Sequence, residues 1–297
     1  MNLPEHPGRA HEKAAPVWET LNPALARRPY RVVLFDFDGT LSLFREGWPS
    51  IMIRMMLEGL KEHGLLRSEE SAEWAHVEDF VMSLNGKPSI LQMQRYAEEL
   101  RTRGGAPAEP TMYLDEYHRR LLAVVRQRWN QVTSCQASPA DWVVPNAHTF
   151  LEHLRRRGVT LYLASGTDIM HVRHEADLLG VAEFFGRHLY APTDNSPDFS
   201  KRGVIERLLV DERIEGKDLL SFGDGVTETL EVKRVGGTAI AVASVEAGQH
   251  GVHADKRARL AAAGADAVIA DYRHESTWLP WLFGESSASP NMDGVHG

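Results

Sequence analysis

Arg31-Val-Val-Leu-Phe-Asp36-Phe-Asp38-Gly-Thr40-Leu41 is the stretch on which the reading of this chain turns. Val32 to Phe35 is a short, partly β-branched apolar run without the alternation of a half-exposed strand, so it reads as a strand buried on both faces. It stops at a carboxylate. In extended backbone, residues two apart point the same way, so Asp36 and Asp38 can face one site.

Outward from this stretch, similar runs recur as VTLYLAS (159–165), HLYAP (188–192), LLSFGD (219–224), TAIAVA (238–243) and AVIAD (267–271). They alternate with helical segments at 149–157, 168–179, 202–211, 227–235 and 255–263, the first two closed by Gly158 and Gly180. Strand and helix in strict turn predict an α/β fold, a Rossmann-like parallel sheet with helices on both faces. From about Arg45 to Ala140 no strand-like run occurs. Helical apolar spacing at 49–63, 71–84, 89–103 and 111–132 predicts a separate all-helical module, with Met52, Met55 and Met56 inside a four-helix bundle. The expected organisation is an N-terminal extension at 1–28, a core domain at 29–44 and 141–284, the helical module at 45–140, and a polar, turn-rich tail at 285–297. Pro4, Pro7, Pro16 and Pro23 break the extension, which Val17, Trp18 and Leu21 are expected to pin down.

Composition narrows the function. The 297 residues are 43% hydrophobic and 25% charged, as in folded globular proteins, and carry a formal net charge of -8. That charge argues against sequence-blind attraction to nucleic acid or anionic membrane, so a small-molecule partner is expected. No stretch approaches the ~20 apolar residues of a membrane span, and the first residues lack the basic start and apolar run of a signal peptide. Cys135 is the only cysteine, which excludes an internal disulfide and fits a reducing, cytoplasmic setting.

Ligands of open parallel sheets bind beyond the carboxyl ends of strands, and four such places carry reactive side chains. The first is Asp36-Phe37-Asp38-Gly39-Thr40. At the second, Ser165-Gly166-Thr167-Asp168, a hydroxyl meets the free amides of a helix start, an anion cradle. The third is Lys201, a cation just before a helix. The fourth, Gly223-Asp224-Gly225-Val226-Thr227-Glu228, sets a carboxylate at a strand end with a second acid four residues on. Oxygen ligands of this kind suit magnesium rather than zinc.

In order and context these four places resemble the signature of the haloacid dehalogenase superfamily of phosphohydrolases: DxDGT, then a serine or threonine, then a lysine, then GDxxxD. The departure is Glu228, one methylene longer than the family's usual Asp. The resemblance implies Asp36 as nucleophile, forming an aspartyl phosphate; Asp38 as acid and then base; and Ser165 and Lys201 on the phosphoryl oxygens. It further implies Mg2+ held by Asp36, the backbone carbonyl of Asp38, Asp224 and Glu228. Thr40 and Gly166 are expected to line the substrate site. An acid at position 38 points to phosphate esters rather than carbon-halogen or carbon-phosphorus bonds.

Asp38 and Ser165 lie 127 residues apart, and Ser165 and Lys201 only 36. The helical module therefore takes the family's type 1 cap position, as in phosphoglycolate phosphatase and β-phosphoglucomutase. Such a lid implies a small phosphorylated metabolite such as a sugar phosphate, with Lys87 and Arg45 as candidate substrate contacts and Trp48 beside Arg45 at the hinge. A phosphomutase sharing the motifs, or a non-catalytic binding protein keeping the fold, are the alternatives. His171 and His174, three apart on one helix, read as a solvated face, as do His250 and His253 in a loop. Arg155 to Arg157 read as a helix-terminal charge run.

Overall fold

A computed structural model describes residues 18–85, 88–193, 199–245 and 251–286. Lys87 and His250 lie outside the described residues. In chain order the elements are β1 (Glu19–Thr20), β2 (Val32–Phe35), α1 (Trp48–Glu62), α2 (Glu70–Ser83), α3 (Ser89–Thr102), α4 (Pro110–Thr133), α5 (Ala147–Arg156), β3 (Thr160–Ala164), α6 (Ile169–Leu178), α7 (Ala182–Phe185), β4 (Leu189–Tyr190), α8 (Lys201–Asp211), β5 (Leu219–Gly223), α9 (Val226–Arg234), β6 (Thr238–Val242), α10 (Ala254–Ala262), β7 (Ala267–Ile269) and α11 (Glu275–Leu282).

The strands form one sheet in the order β1-β7-β6-β5-β2-β3-β4. From β2 the chain fills one side through β3 and β4, then crosses back to fill the other from β5 outward. Strand order therefore reverses at β2, and a crevice opens at its carboxyl end. Val32 pairs with Thr160 of β3 and Leu219 of β5, both parallel. This register brings the ends of all three strands level.

Period-two alternation divides each strand between two cores. Val33 and Phe35 face α5, α6, α7 and α11, while Val32 and Leu34 face α8 and α9. Every residue of β2 is buried, which is why its sequence is apolar without a break. Phe35 meets the rings of Phe150, Phe185 and Phe222 at centroid distances of 6.0, 5.9 and 5.4 Å. Such pairs contribute about 0.5–1.5 kcal/mol each beyond their area burial.

Between β2 and β3 the chain leaves the sheet for α1 to α4, which enclose a second apolar core of Met52, Met56, Val81, Met93 and Tyr96 among others. The architecture is thus a Rossmann-like α/β core plus a helical cap. Among the described residues no helix is long and apolar enough to cross a membrane.

The sheet is not parallel throughout. Glu19 and Thr20, within the expected extension, pair antiparallel with Val268 and Ala267 of β7. Trp18 is buried and stacks on Trp278 of α11 at 5.2 Å. Two residues are too few to show a period, so only the tertiary contact reveals this strand.

Candidate active site

The crevice at the end of β2 is built from chain turns rather than long loops. Asp36 follows β2 directly and is 9% exposed. Its Oδ1 accepts a hydrogen bond from the Phe37 amide at 2.8 Å. The chain then folds back on itself: the amides of Leu41 and Ser42 both donate to the Phe37 carbonyl, at 2.8 and 2.9 Å. Gly39 takes φ +74° in this turn, and a Cβ there would lie 2.0 Å from Asp224 Oδ2. Glycine is needed here for both conformation and space.

Three carboxylates converge, with ligand oxygens of Asp36, Asp224 and Glu228 all within 4.8 Å of one another. Asp224 ends β5. Glu228 stands in the first turn of α9, where Oε1 accepts the Gly225 amide, a capping arrangement that fixes the longer side chain pointing inward. Lys201, at the start of α8, places Nζ 2.8 Å from Asp36 Oδ1 and 3.0 Å from Glu228 Oε2. Lys256 of α10 lies 3.0 Å from Asp224 Oδ2 and donates to Ser244 Oγ at 3.2 Å.

Three acids against two ammonium groups leave the cluster one negative charge in excess. Burial, then repulsion from Glu228 and Asp224, holds the Asp36 carboxyl well above the usual range although Lys201 pulls it down. Asp224 is raised by burial against the pull of Lys256. For Glu228 burial pushes up, but the Lys201 charge and hydrogen bonds from Asp36 and Lys201 outweigh it and the group is lowered. Lys201 is raised because its two carboxylates outweigh its burial. Three crowded carboxylates offering hard oxygen donors mark a place for a cation, and this donor set fits magnesium.

Asp38 stands apart from the cluster and keeps 27% of its side chain exposed. Its Oδ2 accepts from Thr167 Oγ1 at 2.9 Å and from Ser165 Oγ at 3.3 Å. Its Oδ1 accepts from Arg45 Nη1 at 3.0 Å. Ser165 is fully buried, and its oxygen also takes the Thr167 amide at 3.0 Å. A Cβ on Gly166 would meet nothing within 4 Å among the described residues.

The structure thus gathers Asp36, Asp38, Ser165, Lys201, Asp224 and Glu228, with Gly166 at the rim. Thr40 is fully buried, with a hydroxyl that finds no partner among the described residues. Arg45 is engaged with two carboxylates, Asp38 and Glu175. His171 and His174 do not form a purely solvated face: both rings pack against Trp129 of α4, at 5.6 and 4.7 Å.

Sequence reasoning missed Glu175, Lys256, Thr167 and Tyr117. Thr167 follows Ser165 in a stretch already singled out, so two hydroxyls at a strand end were its signal. Tyr117, on α4, is 4% exposed and near enough to Asp38 and Arg45 to feel their charges. Glu175 and Lys256 carry no local signal, since each lies in a helix that reads as polar.

The family description "hydrolase: haloacid dehalogenase-like hydrolase" matches residues 30–236. Comparison with curated proteins finds no match. Among solved structures, a haloacid dehalogenase family hydrolase from Deinococcus radiodurans with bound phosphate and sodium superposes with a TM-score of 0.56 at 19% identity, covering 88% of this chain and 99% of that one. A predicted phosphoglycolate phosphatase from Haemophilus somnus gives 0.53 at 14% identity, covering 83% and 96%. A β-phosphoglucomutase from Clostridium difficile gives 0.54 at 10% identity, covering 86% and 98%. Such identities speak to fold alone. The family description, however, runs from two residues before β2 to two residues past the helix that carries Glu228, and on that ground the chain belongs to the haloacid dehalogenase-like hydrolases.

Proposed function

We propose that this hydrolase is a magnesium-dependent phosphatase that cleaves the phosphate monoester of a small metabolite, a sugar phosphate or similar compound, through an aspartyl phosphate at Asp36. The observation that carries the reading is the pairing of two unlike carboxyls in one crevice. Asp36 is buried against Lys201, whereas Asp38 is partly open and tethered on both oxygens. One suits attack on phosphorus and the other suits proton transfer.

In this reading an Asp36 oxygen attacks phosphorus and the bond from phosphorus to the ester oxygen breaks. The departing oxygen takes a proton from Asp38. Lys201, Ser165 and the Gly166 amide hold the phosphoryl oxygens as their charge redistributes. Water then attacks the aspartyl phosphate, Asp38 accepts its proton, and inorganic phosphate leaves with Asp36 restored. Asp36, the Asp38 carbonyl, Asp224 and Glu228 would hold magnesium, whose role when bound is to neutralise phosphate charge. Tyr117, on the cap and near enough to Asp38 to feel its charge, is the candidate contact for the leaving group, and a cap of this size favours a small one. The lone cysteine supports a cytoplasmic setting.

A panel of phosphorylated metabolites with Mg2+ tests the reading through released phosphate. Hydrolysis of at least one ester without a bisphosphate activator is expected; silence across the panel overturns it. Asp36→Asn should lower kcat by on the order of 10⁴-fold or more while leaving the fold intact by circular dichroism. Without substrate, Mg2+ at 100 times its Kd should stabilise the protein by about 2.7 kcal/mol in thermal unfolding. That gain should vanish on chelation.

A further inference from the structure

Glu175 lies on α6, outside the family motifs in sequence, yet its exposure is 0%. A carboxylate is costly to bury unless something holds it. Arg45 does so, with Nη1 2.6 Å from both Oε1 and Oε2, and Ser42 Oγ stands 3.4 Å from Oε2. The same Nη1 donates to Asp38 Oδ1 at 3.0 Å. One nitrogen therefore joins a sealed carboxylate on a core helix to an open carboxylate in the crevice.

The other oxygen of Asp38 is held from the opposite side by Thr167 and Ser165. Asp38 is thereby fixed from two directions, by the end of β3 and by the hinge that leads into α1. Arg45 belongs to that hinge and has no other carboxylate within ion-pair distance among the described residues. Without Glu175, the long arginine side chain would keep a single anchor, itself partly in solvent, and both it and Asp38 would gain rotamer freedom.

We propose that Glu175 is a positioning residue: by fixing Arg45 it holds the Asp38 carboxyl where a proton can pass to the leaving oxygen. This rests on the phosphatase reading, in which Asp38 is acid and base. Positioned proton transfer contributes about 10²–10⁴-fold to rate, and only esters whose leaving oxygen needs a proton depend on it.

The experiment compares kcat/KM for 2,4-dinitrophenyl phosphate, whose leaving group departs as an anion, with the best alkyl monoester from the metabolite panel. Glu175→Gln should lose about 100-fold on the alkyl ester and less than about threefold on the dinitrophenyl ester. Asp38→Asn should lose the alkyl ester at least as heavily, and adding Glu175→Gln to it should cost nothing further on that ester. Equal loss on both esters, or fully additive loss in the double variant, overturns the proposal. Should Glu175→Gln not fold, Arg45→Lys, which lacks the planar fork, reads the same link and should show the same selective loss. A wild-type protein that hydrolyses neither ester overturns the phosphatase reading and this inference with it, whereas wild-type turnover with an unselective variant overturns this inference alone.

Discussion

Two arginines of this protein stand between pairs of carboxylates, and they are built differently. In the cap, Arg103 lies 2.8 Å from Glu73 and 2.8 Å from Glu99, with all three side chains between 2% and 6% exposed. At the hinge, Arg45 is 14% exposed and bridges Glu175, at 0%, to Asp38, at 27%. Glu73 also accepts the amides of Arg67 and Ser68, and Glu99 also meets His76 and Arg95, so the cap assembly ties cap segments to one another. The hinge assembly ends on a group that still faces the crevice. Charges paired within the cap hold its helices together; a pair that ends at the crevice can act on something brought there.

The largest expected effect falls on the cap assembly. Arg103→Met takes the shared cation from two buried carboxylates, leaving each only its remaining partners, and should cost about 3 kcal/mol in denaturant unfolding. The ratio of kcat/KM between alkyl and dinitrophenyl esters should stay unchanged; a changed ratio would dissolve the contrast between the two assemblies. Arg45→Met should cost less, about 1–3 kcal/mol, because Asp38 is partly solvated and Glu175 can take up a proton. It should nonetheless lose the alkyl ester selectively. The smallest effect is on pH dependence. Burial, opposed by the Arg45 charge and assisted by that of Asp38, pushes the Glu175 carboxyl up to about 7. The folded chain then binds a proton there that the unfolded chain releases, so this site's contribution is full below the ordinary glutamate range and declines as pH rises through 7. Glu175→Gln should flatten that decline in thermal midpoints measured from pH 5 to 8, and an unaltered slope would show that Glu175 titrates elsewhere.

How legible each part was depends on how far its cause lies along the chain. β2, β3 and β5 are visible because burial on both faces demands unbroken apolar runs, and each run ends in the residue that faces the crevice. The helices of the cap are visible through their period, to within a few residues at each end. β1 is invisible at two residues: its stability comes from β7 and from Trp278, some 250 positions away in the chain. Arg45 was singled out by its place at the hinge, but what it touches depends on α6, which no local pattern ties to it. Glu175 sits between Arg173, His174 and Asp177, so its stretch reads as solvated. Only the hinge folding over it makes that position interior.

The strap formed by Trp18 and β1 has a further consequence. A sheet that ended at β7 would offer a bare row of amides and carbonyls to any neighbouring chain, and the opposite margin is β4, only two residues long. By laying its own first described strand along one margin and keeping the other brief, the molecule leaves little template for edge-to-edge association.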